Sequence, residues 1–274
     1  MPARLASSKK GDNGTILVVG GSRFYHGAPL LASMAALRSG ADLVYTAVPR
    51  SITTAVRAFS PNIIALPLPD DKLTVGSANR LAAMLPKRAD CAAIGMGMSI
   101  ARPEALVALV SKLSEQGTKL LLDASALIPE VLPHIAEKGN IVTPHAGEYK
   151  RLFQNEVGST EKERVENVKL MAKEHSITVL LKGPTDIISD GLRTGVNKTH
   201  NCAMTVGGTG DVLSGLTAGL LARIRQPFEA ALLGAYINGS AGNLAFKRVG
   251  LHMVSTDLID ALPATMKLYD KIRK

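Results

Sequence analysis

Short apolar runs alternate with helical patterns along most of the chain. Thr15-Ile16-Leu17-Val18-Val19 is a continuous apolar run ending at Gly20-Gly21, as expected of a strand covered on both faces. Pro29 to Ser39 then shows helical spacing, with Gly40 as a C-terminal stop. Further strands are predicted at Leu43 to Val48, Ile63 to Leu66, Cys91 to Ile94, Lys119 to Leu122, Asn140 to Val142 and Thr178 to Leu181. Helices are predicted at Pro103 to Gln116, Glu161 to His175, Asp211 to Arg223 and Pro227 to Lys247. Asp186 to Ser189 and Leu192 to Val196 flank Asp190-Gly191, a hairpin signal that places an antiparallel pair toward one edge. Strand alternating with helix predicts an α/β protein with a mostly parallel central sheet. No linker, repeat or low-complexity segment interrupts the pattern, so residues 1–274 read as one domain.

In open α/β sheets, ligands bind beyond the carboxyl ends of the strands. Here those ends read Gly20-Gly21-Ser22, Gly95-Met96-Gly97, Asp123-Ala124-Ser125, Thr143-Pro144-His145 and Lys182-Gly183, followed later by Gly207-Gly208-Thr209-Gly210-Asp211. The last run precedes a helix. Its glycines let the backbone approach an anion, and the helix start aims N–H groups and positive dipole at it. A carboxylate in such a place repels phosphate unless it removes a proton from an attacking hydroxyl. The competing reading of Asp211 is a capping residue after a glycine turn. On this loop alone the two readings balance. The chain has no GxxxxGK[ST] loop, and no GxGxxG opens a helix.

The other strand ends carry weaker signals. Lys182-Gly183-Pro184-Thr185-Asp186 could hold a phosphate and line a nucleotide, or be an ordinary strand exit. Thr143-Pro144-His145-Ala146-Gly147-Glu148 sets His and Glu three apart around a turn, as acid/base groups, substrate contacts or a helix cap. That spacing is poor support for zinc, which needs two further ligands. Glu148 could act on Mg²⁺ through water.

Composition narrows the function classes. Hydrophobic residues make up 46% of the chain, enough for a core without disulfides. The two cysteines, Cys91 and Cys202, form no framework, which predicts a reducing, cytoplasmic setting. Met1 to Asn13 is polar and basic, unlike a signal peptide, and no apolar stretch reaches membrane-spanning length. The net charge is +9, but aromatic residues make up only 4% and Trp is absent, which argues against nucleic-acid stacking platforms. A solvated basic surface or steering of a nucleotide accounts for the charge.

Taken in order, these segments resemble the ADP-dependent NAD(P)H-hydrate dehydratases of the ribokinase-like superfamily. The likeness runs from Gly11-Asp12-Asn13-Gly14 and Val18-Val19-Gly20-Gly21-Ser22 through Tyr25-His26-Gly27-Ala28-Pro29 and Thr143 to Glu148. Its most specific part is Asn197-Lys198-Thr199 followed by Met204 to Gly215, and Ser255-Thr256-Asp257-Leu258-Ile259 extends it. The resemblance implies a three-layer αβα sandwich and a repair reaction. The terminal phosphoryl of ADP passes to the ring hydroxyl of the S epimer of hydrated NADH or NADPH, and phosphate then leaves. It implies Asp211 as base, with Gly208 and Gly210 donating to the transferring phosphoryl. It also implies Ala28, Gly97, His145 and Asp211 at the hydrated substrate, and Lys182, Gly183, Pro184, Thr185, Asp186, Asn197 and Gly210 at the nucleotide. Mg²⁺ is implied without a nameable ligand. A homo-oligomer and a separate epimerase are also expected, with neither nucleic acid nor membrane as a partner. Ser125, His200 and Cys202 depart from residues common in the family. The rival readings are a small-alcohol kinase for hydroxyethylthiazole or hydroxymethylpyrimidine, and a non-catalytic nucleotide binder.

Overall fold

The fold is described from a computed structural model, which covers residues 1–85 and 87–274. In chain order the elements are β1 (Arg4–Leu5), β2 (Thr15–Val19), α1 (Gly27–Arg38), β3 (Leu43–Pro49), α2 (Arg50–Phe59), β4 (Ile64–Leu68), α3 (Val75–Met84), β5 (Cys91–Ile94) and α4 (Pro103–Glu115). Then come β6 (Lys119–Leu122), α5 (Leu132–Ile135), β7 (Ile141–Val142), α6 (Ala146–Phe153), α7 (Glu161–Glu174), β8 (Thr178–Leu181), β9 (Asp186–Ser189) and β10 (Thr194–Asn197). The chain closes with α8 (Thr209–Ile224), α9 (Pro227–Val249), α10 (Ser255–Lys267) and β11 (Ile272–Arg273).

Nine strands form one sheet in the order β10-β9-β8-β7-β6-β5-β2-β3-β4. From β4 to β8 all neighbours are parallel, while β9 runs antiparallel to β8 and to β10. The register Val19↔Ile94, Ile94↔Leu122, Leu122↔Val142 and Val142↔Val179 aligns the strand exits in one row. The chain winds outward from β2 through β3 to β4, then returns to β5 on the other side. The topological switch point therefore lies between β2 and β5, where Gly20 and Gly95 leave the sheet. Side chains alternate across the sheet. Leu17, Val19, Ala92, Ile94 and Leu122 pack with α3, α4, α6 and α7, whereas Ile16, Val18, Ala93, Leu121 and Leu180 pack with α1, α8, α9 and α10. These are the three layers that the resemblance implies.

Helix α8 is buried along nearly its whole length against α1 and α9. A side chain at Gly215 would run into the carbonyl of Ala32, so the two backbones nearly touch there. This close packing fixes where the N-terminus of α8 lies at the carboxyl edge of the sheet.

Several expectations shift in detail. The hairpin turn is wider than Asp190-Gly191, and β10 begins at Thr194 rather than Leu192. Asp190 holds this loop by accepting from the backbone N–H of Leu192 at 3.0 Å and of Arg193 at 2.7 Å, and Arg193 ion-pairs back to it. The strand expected at Ile63 lies at Ile64–Leu68 and tolerates Pro67 because β4 is an edge strand. Helices α2 and α3 and the two-residue pair β1–β11 add to the predicted elements, and α2 is amphipathic, burying Ile52, Thr53 and Val56 on one face. Helix α8 begins two residues before Asp211, with consequences for the site.

Candidate functional site

The α8 start places Gly208, not Asp211, at the N-cap position. Gly208 has φ of +96°, and a side chain there would meet Leu31 and the Ser255 hydroxyl. Ser255 donates to the Gly207 carbonyl at 2.6 Å, and Thr209 Oγ1 donates to the Met204 carbonyl at 2.9 Å. Both bonds hold the loop from outside. No side chain caps the first N–H groups of α8, so they stay free for an anion. Asp211 lies inside the first turn and does not act as the cap that sequence reasoning allowed. The capping reading therefore fails.

Asp211 faces a charged cluster assembled from three strand exits. Lys182, after β8, ion-pairs with Asp123 at 2.6 Å and with Glu148 at 3.5 Å. Asp123, after β6, also accepts from Ser214 Oγ at 2.7 Å, and Ser214 lies 3.4 Å from Thr143 Oγ1. Burial lowers the Lys182 ammonium's proton affinity, but the Asp123 and Glu148 carboxylates outweigh it and hold its pKa above the usual lysine value. Burial, then the charges of Asp123 and Glu148, raise the Asp211 carboxyl to about 7, with Lys182 only partly opposing them. A carboxyl with that value can accept a proton near neutral pH. The sequence motifs contain Asp123, Thr143, Glu148 and Ser214, but gave neither Thr143 nor Ser214 a role in this cluster. Ser214 was legible, because three residues after Asp211 is the same helix face.

His145 and Glu148 form a reciprocal cap on α6. Gly147 N donates to His145 Nδ1 at 3.0 Å, and His145 N donates to Glu148 Oε2 at 2.9 Å. With Nδ1 accepting, the ring N–H is at Nε2, which lies 3.4 Å from Glu148 Oε1 on a side chain that is 58% exposed. The Lys182 N–H donates to the Pro144 carbonyl at 2.8 Å, which ties this turn to the lysine. At the switch point, Gly97 has φ of +62°, and a side chain there would come within 3.1 Å of Ala28 Cβ. The β5 exit and the start of α1 thus meet.

Beside the cluster lies a cavity of about 490 Å³. Of the residues expected at a nucleotide, Lys182, Gly183, Pro184, Asp186 and Gly210 line it. Thr185 and Asn197 do not. Asn197 stands behind Asp186, donating to its Oδ2 at 3.0 Å while accepting from Thr199 N at 3.2 Å. Asp186 also accepts from Gly183 N at 3.1 Å, and burial raises its carboxyl despite these bonds. His200 and Cys202 also lie in the cavity wall. A larger hollow of about 740 Å³, reached by Ile224 and Gln226, lies at the opposite end of α8 from Asp211, with Asn197 and Glu229 in its lining.

Fold and site together define a ribokinase-like α/β protein with a nucleotide-sized cavity at an open helix start. The family model described as NAD(P)H-hydrate dehydratase matches residues 16–264. The chain is 54% identical over 272 residues to the ADP-dependent (S)-NAD(P)H-hydrate dehydratase of Nitrosopumilus maritimus, covering 99% of this chain and 95% of that one. It is 42% identical to the bifunctional NAD(P)H-hydrate repair enzyme of Pyrobaculum aerophilum, covering 97% of this chain and 53% of that one. The crystal structure of the Bacillus subtilis ADP/ATP-dependent NAD(P)H-hydrate dehydratase, co-crystallised with ATP/Mg²⁺, is similar with a TM-score of 0.84 at 27% identity, covering 98% and 95% of the two chains. The chain belongs to the NAD(P)H-hydrate dehydratase family.

Proposed function

We propose that this protein dehydrates the S epimers of hydrated NADH and NADPH at the expense of ADP, releasing AMP and phosphate. The observation that carries the reading is Asp211, a carboxyl poised near neutrality within the uncapped first turn of α8. Asp211 takes the proton from the ring hydroxyl as that oxygen attacks the terminal phosphorus of ADP. The bond from phosphorus to the AMP oxygen breaks. The free N–H groups around Gly208 and Gly210 donate to the oxygens of the phosphoryl in transit. The new phosphate ester is a far better leaving group than hydroxide. The ring nitrogen lone pair pushes it out, the neighbouring carbon gives up a proton, and the double bond returns.

Lys182, Gly183, Pro184 and Asp186 flank the AMP portion, with Thr185 and Asn197 supporting that segment from behind. Ala28, Gly97 and the exposed His145 ring face the hydrated nicotinamide. Among the described residues no three His, Cys, Asp or Glu side chains converge as metal ligands. This donor set fits Mg²⁺ only as a hydrated ion carried chiefly by the nucleotide phosphates, with Glu148 accepting from its water shell. Such an ion would supply neutralisation of phosphate charge.

The decisive experiment mixes the protein with hydrated NADH, ADP and Mg²⁺ and follows reduced-nicotinamide absorbance. Recovery is expected for the S epimer alone, and its absence with both ADP and ATP overturns the proposal. A small-alcohol kinase would instead phosphorylate hydroxyethylthiazole or hydroxymethylpyrimidine when either is offered with ATP and Mg²⁺. The chain spans about half the length of the bifunctional relative, and the dehydration proposed here consumes one epimer. An epimer mixture should then be only partly consumed until an epimerase is added. No helix among the described residues is long and apolar enough to cross a membrane, and we expect a cytoplasmic homo-oligomer.

A further inference from the structure

The two ends of the chain meet at the far end of α8 from Asp211. Strands β1 and β11 pair in parallel, with Arg4 opposite Ile272, and the Arg4 N–H donates to the Lys271 carbonyl at 2.8 Å. This pairing gathers part of the chain's +9 charge into one place. A hollow of about 230 Å³ there is lined by Arg4, Arg38, Arg223 and Lys271, against one carboxylate, Asp270. Arg223 lies in the last turn of α8 and Asp211 in the first, about 18 Å apart along the axis. The hollow is therefore separate from the site described above.

Its central guanidinium is built into the fold. Arg223 is partly buried and donates from Nη1 to the Ser39 carbonyl at 2.7 Å. Gly40 follows with φ of +91°, and a side chain there would come within 2.8 Å of the guanidinium, so only bare backbone seats it. Arg4 closes on the same turn, donating to the Gly40 carbonyl at 2.6 Å and ion-pairing with Asp42 at 3.2 Å. Among the described residues Arg38, Arg223 and Lys271 have no such ion pair. Arg223 makes no other side-chain hydrogen bond among them, so most of its fork is free. Burial, then the Arg4 charge, lower the proton affinity of Arg223, and Asp270 and Asp42 only partly oppose them. One or two cations would satisfy the carbonyl end of α1. Four around one hollow leave positive charge uncompensated.

We propose that this hollow is a second anion site, which takes a small, multiply charged phosphate anion on the forks of Arg223 and Arg38, with Arg4 and Lys271 adding charge. Guanidinium forks match phosphate oxygens two at a time, and such charge-assisted bonds are among the stronger ones. The hollow has less than half the volume of the 490 Å³ cavity beside Asp211, which suits phosphoryl groups without a nucleoside. It stands apart from that cavity and does not depend on what the cavity binds.

Calorimetric titration of pyrophosphate tests it, at fixed ionic strength, without Mg²⁺ and with excess ADP to occupy the start of α8. The proteins are wild type, Arg223→Gln and the double variant Arg38→Gln/Lys271→Gln. Both variants should bind pyrophosphate about tenfold more weakly than wild type, while ADP affinity stays within about twofold. Without pyrophosphate the double variant should melt no lower than wild type, since it relieves like-charge crowding. With pyrophosphate the wild type should gain several degrees and the double variant should not. Equal pyrophosphate affinity in all three proteins overturns the proposal, and so does a wild type that binds none. A double variant that melts several degrees lower without pyrophosphate also overturns it, by making these cations helix caps. A protein that fails to bind ADP, yet loses pyrophosphate affinity in both variants, sinks the function proposed above and keeps this site.

Discussion

Asp123 and Asp211 are the same residue type beside the same lysine, yet they have opposite fates. Asp123 leaves a strand end nearly sealed from solvent, with one oxygen on Lys182 and the other on Ser214. Asp211 has no such bonds, and burial beside the Asp123 and Glu148 charges raises it to about 7. The difference teaches what hydrogen-bond and ion-pair partners do for a buried carboxylate: with them Asp123 anchors Lys182, and without them burial acts on Asp211 in full. Asp211 is the group of this cluster raised to accept a proton near neutrality.

The largest effect is expected from Asp211→Asn. Turnover should fall by about 10³-fold or more while ADP affinity changes by less than about threefold. Normal turnover in this variant would remove Asp211 from the mechanism. Lys182→Met comes next, because it strands Asp123 and Glu148 as buried unpaired charges. A loss of about 3–5 kcal/mol in urea unfolding is expected. Adding Asp123→Asn should restore part of that loss, and strictly additive costs would show that the two groups are not coupled.

Gly208→Ala forces a side chain into a φ of +96° and against Leu31 and Ser255. A cost of about 1–3 kcal/mol is expected, with weaker ADP binding because the open turn of α8 is displaced.

The smallest effects lie in pH dependence. Asp211 has a folded value of about 7, above its ordinary 3.8. Its protonated form therefore favours the folded state, in full at low pH, and this contribution is lost as pH rises through about 7. The ligand-free Asp211→Asn protein should melt a few degrees above wild type near pH 8, and the gap should narrow as pH falls from about 7 and close only below about 3.8. The base role requires kcat/KM to rise through about pH 7 in wild type. Asp123→Asn removes one of the charges raising Asp211 and should move this limb to lower pH. An unmoved limb would mean that the two aspartates do not sense each other.

Much of this arrangement was legible beforehand. The continuous apolar runs at Thr15–Val19 and Thr178–Leu181 read as buried parallel strands because both faces are covered. The glycines, Asp123, His145 and Lys182 stood out because strand exits are where this fold class binds. The Asp190 loop was misread as a two-residue turn, since Asp-Gly is ambiguous until the side chain of Asp190 is seen holding Arg193. Asn197 looked like a phosphate contact, and only its bonds to Asp186 and Thr199 place it behind the wall.

The sequence by itself determined the α/β class, the row of chemical groups at the strand ends and the family resemblance. Each rests on short-range information: periodicity, turn residues and motif spacing. Tertiary structure decided which groups meet. Lys182 lies 59 positions from Asp123, and Ser214 lies 91 from it, so no local pattern predicts their bonds. The same packing settled the helix start that makes Gly208 the cap and the raised Asp211 carboxyl. Burial and charge neighbours are properties of three-dimensional proximity, and a one-dimensional pattern carries them only where the chain returns to itself within a turn.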